Sequence, residues 1–527
     1  MRPCVRQRGA VLVAIAVLLA IALTALFTTA LARSATGPRR YAASDAALAA
    51  AREALIAYAT ARPVNDIVGP GYLPCPDLDD DGWAESTCGS MSGETGQWQR
   101  LGRLPWKTLG LADLRDAFGE RLWYAVSSKH KGLLNCTVSA ECLDMSPEAA
   151  LGTITVRDAS GTVIHDGTSA SPYDPGTGGA VAVVIAPGPA LARWNGNGGA
   201  TRLQARTCEG GRCNEAGRCL TEPPTLTPKC DPANYLDRSP GPAFADEDNA
   251  RFVDRNDAAG RMLNRDGFIQ GPIVATDGTL WVNDRLAVLA YDDLMPRVMR
   301  RVGEEAARCL QHYAGLPGHA GRTPWASPLC RSRDADARLR GADASGVRFG
   351  HIPDTPFLAT ARDSDGALST HWPPGTANCS LADGAGRTAG LASHSWWTAW
   401  KPHVFYAVSE AAVPVADGSS ACDSTSCLVV GDAKAGQRFA VIVAGPPLAR
   451  DEGRQSRGAF ASLDALQWLE GANADLRRLN ANPPATECPV DPSYPRGPGS
   501  VAFNRLASGT GRGANDIVVT PAAGARP

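Results

Sequence analysis

Ala117-Phe118-Gly119-Glu120-Arg121-Leu122-Trp123-Tyr124-Ala125-Val126-Ser127 decides how the rest of the chain is read, because it returns without gaps as Ala399-Trp400-Lys401-Pro402-His403-Val404-Phe405-Tyr406-Ala407-Val408-Ser409. A second pair of blocks follows in the same order. Ala182-Val183-Val184-Ile185-Ala186-Pro187-Gly188-Pro189-Ala190-Leu191-Ala192-Arg193 matches Ala440-Val441-Ile442-Val443-Ala444-Gly445-Pro446-Pro447-Leu448-Ala449-Arg450 with one gap. Between these blocks each half carries a close cysteine pair, Cys136/Cys142 and Cys422/Cys427. Order, content and local cysteines agree, so one structural unit is used twice.

Weaker matches extend the repeat at both ends. Asn283-Asp284-Arg285-Leu286-Ala287-Val288 resembles Asn515-Asp516-Ile517-Val518-Val519, and Leu55-Ile56-Ala57-Tyr58-Ala59 resembles Leu310-Gln311-His312-Tyr313-Ala314. The boundary therefore falls near residue 296, giving a first head over 42–296 and a second over 297–527 that ends in a flexible C-terminal tail. Each copy reads as a helix, a cysteine-bearing loop, a tyrosine-bearing strand, a cysteine hairpin, a buried strand ending in Pro-Gly or Gly-Pro, and a last strand after Asn-Asp. The run Ala180 to Ala186 is short, valine-rich and bounded by glycine and proline, the pattern of a central strand. A helix packed on an antiparallel sheet would cover it. The predicted fold class is thus α+β.

At 527 residues and 44% apolar content the chain can bury more than one core. A formal charge of -2 with dispersed arginines gives no reason to expect a nucleic-acid partner. Fifteen cysteines leave fourteen if Cys4 is removed with an N-terminal leader. Spacing suggests Cys75/Cys88, Cys136/Cys142, Cys208/Cys213, Cys219/Cys230, Cys309/Cys330 and Cys422/Cys427, with Cys379/Cys488 left by elimination. Paired C-x-x-C knuckles, which zinc would want, do not occur. Disulfides in an oxidising compartment are the better reading of an even count.

Residues Ala10 to Ala32 carry no charge. At a rise of about 1.5 Å per residue such a run can span a hydrocarbon core of roughly 30 Å. A cleaved signal peptide has a shorter apolar region. A plain signal anchor has no use for Arg6-Gln7-Arg8-Gly9 directly against the apolar boundary. A prepilin accounts for both, since its peptidase cuts after a glycine that follows a basic leader. Arg6-Gln7-Arg8-Gly9 followed by Ala10-Val11-Leu12-Val13-Ala14-Ile15 resembles type IV pilins and the pseudopilins of type II secretion. The resemblance implies cleavage between Gly9 and Ala10, methylation of the new terminus, a hinge near Gly37-Pro38 ending the 10–41 segment, and a long N-terminal membrane-spanning helix carrying two pilin-like, disulfide-rich heads. It also implies prepilin peptidase, other pilins or pseudopilins and the bacterial inner membrane as partners, with the head in the periplasm. Leu104-Pro105-Trp106-Lys107-Thr108-Leu109-Gly110-Leu111, leading into the Trp123-Tyr124 strand, resembles prepilin-type proteins of Gram-negative bacteria. The family usually has Phe and Glu at the first and fifth mature positions, where this chain has Ala10 and Ala14. Without that glutamate to neutralise a neighbour's amine, a minor or tip-proximal subunit is favoured over a polymer-forming one. Nearer the head, Ser44 reads as the N-cap of a helix from Asp45 to Arg62.

Asp77-Leu78-Asp79-Asp80-Asp81-Gly82 matches D-x-D-x-D-G, in which alternating carboxylates and a turn glycine can surround calcium. Cys88 stands where an EF-hand has its twelfth-position glutamate, so Asp77, Asp79 and Asp81 would need Glu85 or a distant group to complete the shell. The alternative is a solvated acidic turn pinned between Cys75 and Cys88. Trp396, Trp397 and Trp400 form the densest aromatic patch; Trp400 falls on a repeated core position, leaving Trp396 and Trp397 as interface candidates. No H-E-x-x-H, G-x-S-x-G or G-x-x-x-x-G-K-[ST] occurs, so no enzyme is expected. Two functions fit: a minor pilin or pseudopilin that primes, caps or mediates adhesion, and a membrane-anchored periplasmic binding module outside any filament.

Overall fold

The two tyrosine-bearing blocks form the second strand of two sheets built to one plan. The computed structural model describes residues 41–62, 69–86, 88, 100–127, 129–131, 145–148, 150, 152–167, 178–193, 202–204, 206, 232–239, 248–250, 255–256, 262–263, 267–315, 319–327, 329, 346–353, 400–414, 422, 426–430, 436–450, 453–455, 457, 465–474, 502–503 and 515–521. The first sheet contains β1 (Leu101–Arg103), β2 (Trp123–Val126), β3 (Ala182–Ala186) and β4 (Arg285–Leu289), paired in that order and antiparallel throughout. The second contains β5 (Phe349–His351), β6 (Val404–Val408), β7 (Phe439–Val443) and β8 (Ile517–Val519), again in order and antiparallel.

The registers coincide residue by residue. Gly102 faces Tyr124, which faces Val184; Gly350 faces Tyr406, which faces Val441. This corrects the block alignment by one residue. Ala182 corresponds to Phe439, and Pro187-Gly188-Pro189 then matches Ala444-Gly445-Pro446 with no gap. Each tyrosine hydroxyl donates to a proline carbonyl at 3.0 Å, Tyr124 to Pro74 and Tyr406 to Pro324. Buried hydroxyls need such a partner, and both copies supply it from the same place.

Helix α1 covers 41–61 among the described residues, and α2 is Tyr291–Ala314. Helix α1 lies along the first sheet, where Arg52 Nε donates to Val288 O at 3.1 Å. Helix α2 packs on β7 and β8 so closely that a Cβ on Gly303 would come within 2.8 Å of Val519. One continuous core joins Leu55 and Ile56 of α1, Val298 and Val302 of α2, Tyr124 and Val184 of the first sheet, and Tyr406 and Val441 of the second. The helices therefore form a layer shared by both sheets. Surface ion pairs Arg52–Asp293 and Arg297–Glu53 tie the helices together and add little beside that burial.

The outer sheet faces are buried as well, which is why the strands read as continuous apolar runs. Trp123, Val183 and Ile185 lie under Tyr235, Leu236 and Phe268, while Phe405, Ala440 and Ile442 lie under Leu428, Ala465 and Leu469.

Three expectations are corrected. The described residues are mixed α+β, mostly short-stranded sheet with two long helices, and no helix among them is long and apolar enough to cross a membrane, so the predicted fold class with its long N-terminal membrane-spanning helix does not stand. Both helices carry charge where such a helix could not, for example Arg52 and Glu53 in α1 and Arg300, Arg301 and Glu304 in α2. The Ala10 to Ala32 run, Gly9 and Gly37-Pro38 lie outside the described residues. Secondly, Ser44 caps no helix terminus: α1 already includes 41–43, and Ser44 Oγ accepts the Ala117 amide at 3.0 Å. Thirdly, residue 296 lies inside α2, which begins at Tyr291.

Candidate metal centre

The acidic loop is built as an extension of the first sheet. Asp77 pairs with Arg103 at the end of β1, its amide donating to Arg103 O at 3.0 Å and its carbonyl accepting from Arg103 N at 2.7 Å. The chain then turns back on itself, with Asp80 at φ 63 and Gly82 at φ 90. Gly82 is required twice over, by that left-handed angle and because a Cβ would stand 2.7 Å from the Trp106 ring. The Cys75–Cys88 disulfide encloses the loop. Charges from outside hold it: Arg121 reaches Asp80 Oδ1 at 2.7 Å, and the Lys107 ammonium donates to Asp81 O.

Within this frame Asp77, Asp79 and Glu85 each offer a carboxylate oxygen, all within 4.8 Å of one another. Oxygens so placed can share one hard cation at the 2.3–2.6 Å range usual for calcium, about. Asp77 is 1% exposed, and its oxygens accept Gly82 N at 2.7 Å and Asp81 N at 3.2 Å. Burial pushes its carboxyl up to about 7, against the Gly82 hydrogen bond, with Asp80, Asp79 and Asp81 adding repulsion. Burial also raises Glu85, whose Oε1 accepts Leu78 N at 3.2 Å. The fourth sequence candidate, Asp81, stands apart from the cluster, with its Oδ1 accepting Trp83 N at 2.7 Å.

The donor set fits calcium, and a proton competes for it. Millimolar calcium is expected to raise the thermal midpoint at pH 8, through a gain of about 2.7 kcal/mol in unfolding free energy at a hundredfold excess over the dissociation constant. The gain should shrink as pH falls through the Asp77 value of about 7, because binding displaces that proton. Asp77→Asn with Glu85→Gln should abolish the calcium shift. Calorimetric titration at pH 8 and pH 6 checks both points, and equal calcium affinity at the two pH values would refute the role of Asp77.

Of the other sequence candidates, Cys422–Cys427 is bridged, and Cys309 is disulfide-bonded while Cys330 lies outside the described residues. Cys136, Cys142, Cys208, Cys213, Cys219, Cys230, Cys379 and Cys488 lie outside them too, as do Trp396 and Trp397. Trp400 is buried in the shared core.

A polar network that the sequence reading missed lies under the turn after each central strand. In the first copy Arg206 donates to Gly188 O at 2.6 Å and to Gln204 Oε1 at 2.9 Å, and Gln204 Nε2 donates to Asp237 Oδ1 at 2.9 Å. Asp237 Oδ2 accepts Asn283 N at 2.7 Å, and Asp284 Oδ2 accepts Asp237 N at 2.8 Å. In the second copy Arg457 donates to Gly445 O at 2.5 Å and to Gln455 Oε1 at 3.1 Å, and Gln455 Nε2 donates to Glu470 Oε1 at 3.0 Å. Glu470 Oε2 accepts Asn515 N at 3.1 Å, and Asp516 Oδ2 accepts Glu470 N at 2.9 Å. The recurrence of Gln-x-Arg, at Gln204 to Arg206 and Gln455 to Arg457, is the signal that could have found it.

These features define a tandem helix-on-sheet protein with one acidic loop in its first copy. Comparisons with family models, curated proteins and solved structures found no match to this chain.

Proposed function

We propose that the protein is a non-catalytic, exported component of a type IV pilus or type II secretion pseudopilus, a minor pilin or pseudopilin acting in priming, capping or adhesion. The observation carrying this reading is the duplicated unit, a helix against a four-stranded antiparallel sheet, set behind a leader that ends Arg6-Gln7-Arg8-Gly9. Disulfides at Cys75–Cys88 and Cys422–Cys427 support an oxidising, periplasmic location for the heads. The shared core supports a rigid double head, suited to a position made once per filament rather than repeated along it. Calcium in the acidic loop would brace the first head.

Gly9→Leu tests the reading. Prepilin processing predicts that the variant keeps its full mass and disappears from sheared filament fractions, while the wild type is shortened and present there. Unchanged mass and distribution on substitution would favour a periplasmic binding module that never joins a filament.

A further inference from the structure

Beyond that role and independently of it, we infer that each buried carboxyl pair, Asp237 with Asp284 and Glu470 with Asp516, holds one proton that locks the last strand of its sheet to the turn after the central strand. Asp284 and Asp516 immediately precede β4 and β8. Their neighbours Asn283 and Asn515 donate through Nδ2 to Pro189 O at 2.8 Å and Pro446 O at 2.7 Å, so the network joins strand to turn in both copies.

Asp284 and Asp516 are fully buried. One oxygen of each is used: Asp284 Oδ2 also accepts Asn249 Nδ2 at 2.8 Å, and Asp516 Oδ2 accepts Asn473 Nδ2 at 3.1 Å. Among the described residues the other oxygen, Oδ1, accepts nothing in either copy. The Glu470 amide donates to Asp516 Oδ2 at 2.9 Å and the Asp237 amide to Asp284 Oδ2 at 2.8 Å, so the two carboxyls of each pair are held side by side out of water, where two negative charges disfavour each other and one proton relieves the repulsion. Asp284 meets Asp237 and Arg206, with Glu120 paired to that arginine; Asp516 meets Glu470 and Arg457, with Glu148 paired to it. One arginine cannot neutralise two buried carboxylates and its own outer partner. Burial and the paired carboxylate raise Asp284 and Asp516 well above the usual carboxylate range, and burial raises Asp237 as well. The same hydrogen-bonded carboxyl pair is reached with Asp237 in one copy and Glu470 in the other.

A carboxyl raised in the folded state stabilises the fold fully below its unfolded value, and the stabilisation is lost as pH rises through the folded value. Across that window the unfolding constant should rise about tenfold per pH unit for each lock, hence about a hundredfold for two. The buried, neutral His130, His351 and His403 have lowered values, so they act in the opposite sense and only in acid. Measurements between pH 8 and 9 avoid them and also lie above the Asp77 value of about 7.

Asp284→Asn/Asp516→Asn replaces each protonated acid by an amide of the same shape. The full chain should show an unfolding constant that climbs with pH over this range, and the double variant should be flat by comparison. Infrared spectra of the wild type at pH 8.5, where Asp77 is ionised, should contain a protonated-carboxyl stretch, which keeps the proposal testable even if the variant does not fold. A flat wild-type profile, a slope surviving in the folded double variant, or no protonated carboxyl at pH 8.5 would overturn it.

Discussion

Arg457→Met is expected to cost about 3–5 kcal/mol of folding stability, the range for removing one partner of a buried charge network. Its guanidinium is 1% exposed. It donates to the carbonyls of Gly445, Gln467 and Trp468 and to Gln455 Oε1, lies 4.8 Å from the Trp468 ring centroid, and pairs with Glu148 at 3.3 Å. Methionine would fill the space but leave those acceptors without their donor and remove the positive charge that faces the Glu470 and Asp516 carboxyls. Arg457→Lys should rescue little, because an ammonium cannot match a planar fork of five donors. Glu148 belongs to the first copy, so the loss should lower one midpoint for the whole molecule in a denaturant titration. A loss below about 1 kcal/mol, the value of an exposed pair, would show that the network is not stabilising.

Gly350→Val should be at least as damaging through a different mechanism. Strand β5 lies against Ser327, whose amide and carbonyl both pair with His351 at 2.9 Å. A Cβ on Gly350 would stand 2.0 Å from Ser327 O, so backbone rather than a movable side chain blocks it. Overpacking usually costs about 1–3 kcal/mol, and here the upper limit should be reached or passed. Its counterpart Gly102 meets Asp77 O at 2.7 Å, and Gly102→Val should be harmful but milder. Gly178→Ala is the control, since nothing lies within 4 Å of its Cβ position and a change within about 0.5 kcal/mol is expected. Thermal melts of the three variants check the ranking. If Gly350→Val melts with the control, β5 does not sit where the register places it.

The parts of this architecture that were legible are those coded by adjacent residues. Trp123-Tyr124-Ala125-Val126 and Phe405-Tyr406-Ala407-Val408 announce their strands because both faces are apolar and β-branched or aromatic residues dominate. Asp77, Asp79 and Glu85 come together because one tight turn within nine residues suffices. Asp81 stands outside the cluster, its carboxylate engaged in an Asx turn with the Trp83 amide. Ser44 looked like a cap since local spacing cannot reveal that Ala117, far along the chain, claims its hydroxyl. Alanine matched to alanine displaced the central-strand alignment by one residue, whereas pairing with Tyr124 and Tyr406 sets the true register. The carboxyl locks stayed hidden for the same reason as Ser44, because Asp237 reaches Asn283 and Glu470 reaches Asn515 only across the folded molecule.

Sequencing the amino terminus of the mature protein tests the functional account most directly. The account predicts a chain beginning at Ala10 with a methylated α-amine. A chain still beginning at Met1, or one cut after Ala32, would contradict it.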